Sequence, residues 1–293
     1  MRDYIMSPFY SIKENKLFYL DKSEICKLPK EESIKQKILQ DEGVILNKSI
    51  MNNSIEENSI LILEPHPDDF ALSALGYIDN KKSATILNIF SRMHLDSFTW
   101  RKSISITEED YENIRIKEDK LAIEEILGQK YVSLREKSTR ISEKSESYII
   151  DRIKKNLEKI LNENSNIDTL MVPMGIGMHP DHIVVYNAVM NNYIKQLSRK
   201  VKIILYPEYP YARCKKFYKD RLERIQGQYR LKVIIKNIEM KLDDIVNAVS
   251  VYRSQYDDIN KIQMLAIIRE DCRAIAQEYN KENLSLVYYE VER

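Results

Sequence analysis

Residues 59–76, SILILEPHPDDFALSALG, form the stretch that best indicates the fold class of the chain. Its first six residues form a short apolar run, typical of a parallel strand that is covered on both faces of its sheet. A polar turn, His-Pro-Asp-Asp, follows at once, and a stretch of helical character comes after it. A buried strand, a polar turn and a helix, in that order, are the repeating unit of α/β proteins.

The same unit recurs along the chain. Short apolar runs predict four more buried strands, at residues 84–90, 131–134, 169–173 and 201–206. The gaps between them fit crossover helices, and residues 106–128 are the clearest because Thr107 suits a helix start and Gly128 a helix stop. Further helices are predicted at residues 147–161, 182–197, 241–250 and 261–279. The predicted fold class is therefore α/β, with buried parallel strands and helices between them.

The two ends of the chain have a different pattern. Residues 9–20 predict a β-hairpin, and a charged segment at residues 30–40 is compatible with a helix. We read residues 1–55 as a small appendage, which could cover a sheet edge or join subunits of a homo-oligomer, and residues 56–293 as the main α/β domain. The last apolar run, residues 284–291, is predicted to add a strand at the edge of the sheet.

Composition excludes several classes of protein. The chain has 293 residues, 43% of them hydrophobic, which suits one large domain. Its 46 Lys and Arg balance 45 Asp and Glu to a net charge of +1, so nucleic acid is not an expected partner. There is no apolar leader and no uncharged apolar run of about 18 residues, so we expect a soluble cytoplasmic protein without a membrane span. The three cysteines are odd in number and far apart, which fits a reducing compartment better than disulfides.

Two His-Pro-Asp motifs stand out, at residues 66–69 (HPDD) and residues 179–182 (HPDH). With four His and eight Pro in the chain, chance alone gives about 4 × 8/293, or roughly 0.1, His-Pro pairs. Each motif lies at or close behind the end of a predicted strand and precedes a helical stretch. Because ligands of open α/β sheets bind at the carboxyl ends of the strands, both motifs are expected at a ligand-binding edge.

The residue types and their spacing favour a metal site. His66 and Asp69, three residues apart in a strand-to-helix turn, can hold one ion, and His182 can supply a third ligand. Two imidazoles and a carboxylate leave one coordination position for water, as in catalytic zinc sites, although another divalent metal is compatible. The plainer alternative makes Asp68 and Asp181 helix-capping residues. It explains neither the duplicated motif nor the presence of three of the four histidines in it.

The two motifs resemble the signature stretches of the LmbE-like, or PIG-L, deacetylases. The resemblance lies in residues 63–76 (LEPHPDDFALSALG) and residues 172–188 (VPMGIGMHPDHIVVYNA), and more weakly in residues 115–128, 206–212 (YPEYPYA) and 252–255 (YRSQ). It covers roughly residues 57–260. The family removes N-acetyl groups, often from N-acetylglucosamine conjugates, and its fold implies a Rossmann-like, mostly parallel sheet flanked by helices.

The resemblance also implies roles for individual residues. His66, Asp69 and His182 would bind zinc, and Asp68 would be the general base that takes a proton from water. His179 would lie across the metal, where an imidazolium could stabilise the oxyanion or protonate the leaving amine, and Asp181 could orient a histidine. The local spacing described above is compatible with each of these roles.

Three positions depart from the family. Phe70 stands where most members have Glu, and Leu75-Gly76 replaces a Gly-Gly pair. Gly177 occupies a place where some members carry a Tyr thought to help with the oxyanion. A divergent substrate and a weakened enzyme are both compatible with these changes.

Four residues are candidates for contact with substrate. Arg115 resembles a substrate-contacting Arg of the family, although its spacing to Gly128 is one residue longer. Glu208 and Tyr211 follow the fifth strand and could reach a polar substrate from the rim of the crevice. Arg92 follows the second strand, in a segment that also holds His94 and Trp100. Ordinary packing or exposure is the alternative for each, and the basic stretch 213–236 is read as a solvated face.

The sequence therefore predicts a zinc-dependent hydrolase that removes an acyl group from a small molecule, an amino sugar or an amino-sugar conjugate. A first alternative is a catalytically weakened protein of the same fold that binds a sugar-like ligand. A second is a non-haem iron oxygenase, because two His and one carboxylate also form the metal triad of that class. Such triads usually lie in all-β barrels, which the α/β pattern argues against.

Overall fold

The computed structural model describes residues 7–11, 16–20, 59–78, 83–92, 107–198, 200–255 and 258–293. Strands β1 (Ser7–Ser11) and β2 (Lys16–Leu20) pair antiparallel, as expected for the hairpin in the appendage. The segment at residues 30–40, the domain boundary near residue 55, His94 and Trp100 lie outside the described residues.

A seven-stranded sheet forms the middle of the main domain. Its strands are β3 (Ser59–Glu64), β4 (Ser83–Arg92), β5 (Lys130–Lys137), β6 (Ile167–Pro173), β7 (Lys202–Tyr206), β8 (Arg230–Asn237) and β9 (Ser285–Glu292). They follow the order β5-β4-β3-β6-β7-β9-β8 across the sheet. The first five are parallel, whereas β9 pairs antiparallel with both of its neighbours. The prediction of a mostly parallel α/β sheet is confirmed.

Helices cover both faces of this sheet. They are α1 (Glu108–Lys120), α2 (Glu146–Glu163), α3 (Pro180–Met190), α4 (Lys215–Gln226), α5 (Leu242–Ser250) and α6 (Asp258–Glu278). Helices α2 and α3 pack on one face, and α5 packs with the π-helical turn Phe70–Ala74 on the other. Among the residues that the structure describes, no helix is long and apolar enough to cross a membrane.

The burial of strand β3 explains why residues 60–63 are all apolar. Leu61 and Leu63 belong to the core on the α2 face, and Ile60 and Ile62 belong to the core on the opposite face. All four are completely buried, and full burial of such a side chain contributes roughly 1.5–3 kcal/mol to stability. Since neighbouring side chains of a strand point to opposite faces, two-sided burial produces an unbroken apolar run.

The C-terminal part of the sheet differs from the prediction in one respect. The run at residues 284–291 does form a strand, β9, but it lies between β7 and β8, so its placement at the edge is wrong. The edge belongs to β8, which the sequence did not predict because its Arg and Lys residues lie in the basic stretch 213–236. Charged residues are common on edge strands, where they oppose pairing with other chains.

Helix α3 is shorter than predicted. It begins at Pro180 and ends at Met190, and turns follow it as far as residue 197. The side-chain amides of Asn191 and Asn192 donate hydrogen bonds to the side-chain and backbone oxygens of Asn187, respectively. Such local bonds compete with the helical ladder, which explains the early end.

A π-helical turn after helix α1 accounts for the one residue by which the spacing from Arg115 to Gly128 exceeds that of the family. The helix continues directly into a π-helical turn, Leu121–Ile126. A π turn closes its hydrogen bonds from residue i to residue i+5, so it holds one residue more than an α-helical turn. The π turn therefore takes up the extra residue without shifting Arg115 relative to Gly128.

The order of the strands places both His-Pro-Asp motifs at one point of the sheet. From β3 the chain passes to β4 and β5 on one side, and it later passes to β6 and β7 on the other. The strand order thus reverses between β3 and β6, and the motifs follow these two adjacent strands. Ligands of open α/β sheets bind in the crevice at such a reversal.

Candidate metal centre and active site

The turn after β3 is closed by its own hydrogen bonds. The His66 amide donates to Oδ2 of Asp69 at 2.8 Å, and the Asp69 amide donates to the His66 carbonyl at 3.1 Å. Both side chains are almost completely buried. The three-residue spacing therefore brings the imidazole and the carboxylate to the same side of the turn.

The donor atoms of His66, Asp69 and His182 form a nearly equilateral triangle. Nδ1 of His66 lies 3.1 Å from Nε2 of His182, and Oδ2 of Asp69 lies 3.6 Å from the first nitrogen and 3.3 Å from the second. Ligands placed tetrahedrally at about 2.0–2.1 Å from zinc are about 3.3–3.4 Å from one another. The three atoms fit one zinc ion and leave a fourth direction free.

Hydrogen bonds to the nitrogens that face away from the triangle determine the tautomers of the His66 and His182 rings. Nε2 of His66 lies 2.8 Å from the carboxylate of Asp181, and Nδ1 of His182 lies 3.1 Å from that of Glu208. An ionised carboxylate can only accept a hydrogen bond, so the nitrogen that faces it carries the ring proton. In a neutral ring the other nitrogen, Nδ1 of His66 or Nε2 of His182, then carries a lone pair. Two lone pairs and a carboxylate oxygen then converge, which is a fit for a cation.

The electrostatics of His182 agree with this reading. Burial alone would lower its pKa, but the charges of Asp69 and Glu208 and the hydrogen bond to Glu208 raise the pKa of His182 to about 9. The same negative charges that favour a proton on His182 also favour a cation beside it. A metal ion and that proton compete for the same negative surroundings.

His179 brings a third imidazole to the site. Its ring centroid lies 4.9 Å from that of His66 and 5.3 Å from that of His182, and one nitrogen of each ring lies within 4.8 Å of the others. Burial and the two neighbouring imidazoles lower the pKa of His179 to about 4. Its Nδ1 is buried without a hydrogen-bond partner in the described part of the chain. These effects keep the ring neutral at neutral pH; the resemblance had allowed either a neutral ring or an imidazolium at this place.

Asp181 lies behind His66, as the expected orienting role requires. One of its oxygens accepts from His66, and the other accepts from the amide and the hydroxyl of Thr139 at 2.7 and 2.6 Å. Burial raises the pKa of Asp181. The hydrogen bond and the charge of His66, together with the hydrogen bonds from Thr139, outweigh burial and hold that pKa far below its usual range. Thr139 carried no recognisable signal in the sequence, because it follows β5 in a polar loop.

Glu208 lies behind His182 and away from the rim where a substrate contact was expected. It is completely buried, and besides His182 it accepts from the backbone amides of Gly175 and Ile176. The loop after β6 is thus tied to the loop after β7 through one carboxylate. This arrangement parallels that of Asp181, with one buried carboxylate behind each of the two histidines.

Asp68 and Arg115 lie together beneath the first turn. Asp68 is buried and has a φ of 105°, a strained value for a residue with a side chain, costing about 1–3 kcal/mol. Arg115, only 2% exposed, donates to the Pro67 carbonyl at 3.1 Å and lies close enough to Asp68 for the charges to attract. The expected contact between Arg115 and substrate has no open path in this arrangement.

A buried carboxyl that sequence reasoning missed supports the same turn. Glu64, at the end of β3, accepts from the Phe70 amide at 3.0 Å and from Nδ2 of Asn88 at 3.2 Å. Burial and the nearby Asp119 raise the pKa of Glu64 well above its usual value. Phe70 itself is completely buried in the apolar core. An acidic residue closing the apolar strand LILE was the signal that could have found Glu64.

Two of the stretches that resemble the family more weakly, residues 115–128 and 252–255, are in contact with each other. The hydroxyl of Tyr252 donates to Asp119 at 2.8 Å, and the Ser254 amide donates to Glu118 at 3.0 Å. The YRSQ stretch is thereby attached to helix α1.

Arg92 lies at the end of β4, and its Nε donates to the buried carboxylate of Glu112. Arg135 donates to the same carboxylate at 2.9 Å, and Ser91 donates to it at 3.0 Å. The two arginine side chains are 40% and 49% exposed. Arg92 is therefore the predicted substrate-contacting Arg that remains accessible to a ligand.

Comparisons with known proteins agree with the motifs. Residues 61–193 match the family model described as PIG-L: GlcNAc-PI de-N-acetylase. A comparison with curated proteins gives no match.

Three solved structures illustrate the fold that the chain shares. The A40926 pseudoaglycone deacetylase Dbv21 is 20% identical with a TM-score of 0.62, over 80% of this chain and 97% of that one. The N,N'-diacetylchitobiose deacetylase from Pyrococcus horikoshii is 18% identical with a TM-score of 0.57, over 89% and 92%. GalB, the 4-carboxy-2-hydroxymuconate hydratase from Pseudomonas putida KT2440, is 12% identical with a TM-score of 0.55, over 80% and 95%. Because a hydratase also has this fold, the fold alone does not name the reaction.

Proposed function

We propose that this protein, whose residues 61–193 match the PIG-L family model, is a metal-dependent hydrolase acting on amides. Its substrate would be an N-acetylated, or otherwise N-acylated, amino sugar or amino-sugar conjugate. The single observation that carries the proposal is the triangle of donor atoms from His66, Asp69 and His182, with Asp68 between the first two in sequence.

The donor set favours zinc among the divalent metals. Two imidazoles and one carboxylate with a free fourth position are typical of catalytic zinc sites. When bound by His66, Asp69 and His182, zinc would supply a Lewis acid that lowers the pKa of a water ligand to about 7. Asp181 and Glu208 would hold the two imidazoles in the orientation that presents their lone pairs.

Asp68 would act as the general base. In amide hydrolysis the oxygen of water forms a bond to the acyl carbon while a proton passes from that water to the base. The buried guanidinium of Arg115 favours the ionised, proton-accepting form of Asp68. The strained backbone of Asp68 is compatible with a side chain fixed for one task.

The carbon–nitrogen bond then breaks, and the leaving nitrogen takes up a proton. His179 is the proposed donor of a hydrogen bond or proton on the open side of the site. Because its ring is neutral at neutral pH, any proton it delivers has to reach it during the reaction. Arg92, half exposed at the end of β4, would contact polar groups of the substrate.

One structural feature bears on each of the two alternative functions, a ligand-binding protein and a non-haem iron oxygenase. A weakened, ligand-binding protein remains a candidate because Phe70 replaces a family Glu, although Glu64 supplies a buried carboxyl beneath the same turn. An iron oxygenase with this triad is expected in an all-β barrel, and the mixed α/β sheet argues against it.

Metal analysis of the purified protein, combined with an acetate-release assay over N-acetylated sugars, sugar conjugates and small peptides, tests the proposal. We expect about one zinc per chain and release of acetate from at least one amino-sugar substrate. The same protein stripped with a chelator is the matched control. Zinc without turnover on any amide would favour the ligand-binding alternative, and oxygen consumption with a 2-oxo acid would favour the oxygenase.

A further inference from the structure

The ring of Tyr211 forms one wall of the candidate site. Tyr211 begins a short 3₁₀ turn, Tyr211–Arg213, in the loop that follows β7. Its ring centroid lies 5.5 Å from that of His182, edge to face at 81°, and 6.2 Å from that of His179. The side chain is partly exposed, so it borders the space that a ligand of these histidines would enter.

Gly177 makes room for this ring. A Cβ at residue 177 would lie 3.1 Å from Cδ1 of Tyr211, which is tighter than most packing contacts, and 3.4 Å from its Cβ, so the ring would have to shift by a few tenths of an ångström. Gly177 also has a φ of 74°, which residues with a side chain rarely adopt. The loop before His179 is thus shaped so that the aromatic ring occupying this place comes from residue 211.

The hydroxyl of Tyr211 differs from those of the well-buried tyrosines. Tyr206 donates to the Leu63 carbonyl, Tyr252 donates to Asp119, and Tyr288 donates to the Ser73 carbonyl. In the described part of the chain, no hydrogen bond engages the Tyr211 hydroxyl. Burial raises the pKa of Tyr211, and the charges of Asp69 and Asp68 raise it further, so the phenol lies within electrostatic reach of both carboxylates.

We propose that Tyr211 is a catalytic residue whose hydroxyl donates a hydrogen bond to the carbonyl oxygen of the scissile amide as negative charge develops there. A phenol is a good donor, and a donor fixed in advance by packing stabilises the transition state more than the ground state. His182 and Gly177 hold the ring from two sides, so its position is set before substrate arrives. This inference rests on the proposed amide hydrolysis and assigns it a donor beyond His179.

The first experiment replaces the hydroxyl alone. Tyr211→Phe keeps the ring against Gly177 and His182, so the fold and the metal content should not change. Loss of one such donor typically lowers kcat about 10²- to 10³-fold, and we expect a fall of this size with KM within about twofold. The matched control is Tyr186→Phe on helix α3, because the Tyr186 hydroxyl is buried without a partner among the described residues. Its kcat should equal that of the wild type.

A second variant tests the same contact from the other side. Gly177→Ala should displace the Tyr211 ring and lower kcat, while Gly177→Ala combined with Tyr211→Phe should be little worse than either single change. Additive losses in the double variant would mean that the two residues act separately, and would overturn the role of Gly177 in placing the hydroxyl.

A binding measurement separates this inference from the proposed function. The probe is an N-acetylglucosamine analogue in which a tetrahedral methylphosphonamide replaces the acetamide, titrated into zinc-loaded protein by calorimetry. Tyr211→Phe should bind it about 10- to 100-fold more weakly than wild type, with unchanged affinity for glucosamine. If wild type hydrolyses amides and Tyr211→Phe matches it in kcat and in probe affinity, the inference is wrong and the proposed function stands. If wild type neither hydrolyses any amide nor binds the probe, both are overturned.

Discussion

Nε2 of His66 lies 2.8 Å from Oδ2 of Asp181, although 115 residues separate the two in the chain. The carboxylate belongs to the second His-Pro-Asp motif and the imidazole to the first. The other oxygen of Asp181 is occupied by Thr139, so the carboxylate has one orientation available. This hydrogen bond joins the two motifs, and the proposed ion would join them a second time.

Asp181→Asn should weaken metal binding. The amide group presents one oxygen and one NH₂, so it cannot accept from His66 and from Thr139 as two carboxylate oxygens do. The His66 ring then loses its fixed tautomer, and loss of such a partner typically lowers metal affinity about 10- to 100-fold. Competition with a zinc chelator measures the change. Asp151→Asn on the exposed side of helix α2 is the control, and equal zinc affinity in all three proteins would contradict the proposed role of Asp181.

Asp68→Asn should separate metal binding from turnover. Asn has nearly the same shape but cannot accept the proton of the attacking water, and loss of a general base typically lowers kcat about 10²- to 10⁴-fold. Bound zinc, measured by elemental analysis, should stay at the wild-type level because Asp68 is not among the three proposed ligands. A variant that keeps nearly full activity would refute the assignment of Asp68 as the base.

Removal of the metal should lower stability as well as activity. The donor triangle exists only in the folded chain, so an ion that binds there shifts the folding equilibrium by mass action, by about 4 kcal/mol at a thousandfold excess over Kd. Calorimetry should show a lower Tm after dialysis against a chelator and recovery on addition of zinc. In His182→Ala the Tm should respond little to zinc. A wild-type Tm indifferent to both treatments would argue against the proposed ion site.

Asp119 should make the protein less stable as the pH rises. Its carboxyl is completely buried, and burial is the main cause that raises its pKa from 3.8 to about 6. The folded protein therefore holds this proton to a higher pH than the unfolded chain does. The resulting contribution to the free energy of unfolding is full below pH 3.8 and is lost as the pH rises through about 6.

Urea unfolding at several pH values measures this contribution. In Asp119→Asn, which cannot ionise, the fall in stability between about pH 4 and pH 7 should be smaller than in wild type. The exposed Asp151→Asn variant should keep the wild-type pH dependence. Identical profiles for wild type and Asp119→Asn would show that the group titrates normally in the folded protein.

The fold class and the candidate metal ligands could both be predicted from the amino-acid sequence. A strand buried on both faces, as at Ile60 to Leu63, has a composition that can be read without its neighbours, because two-sided burial acts on each residue. The placement of His66 and Asp69 on one side of a turn is equally local, since it depends on a spacing of three residues. The order of strand and turn then placed both motifs at the carboxyl edge of the sheet.

The order of the strands in the sheet and the surroundings of the candidate ligands became known from the three-dimensional structure. It placed β9 inside the sheet, buried Glu208 behind His182, and set Tyr211 against Gly177. Each of these relationships joins segments more than 25 residues apart, and Glu208 was expected at the rim only because its loop follows a strand. Local periodicity and spacing carry no information on which distant side chains share a buried volume, because packing across the whole domain makes that choice.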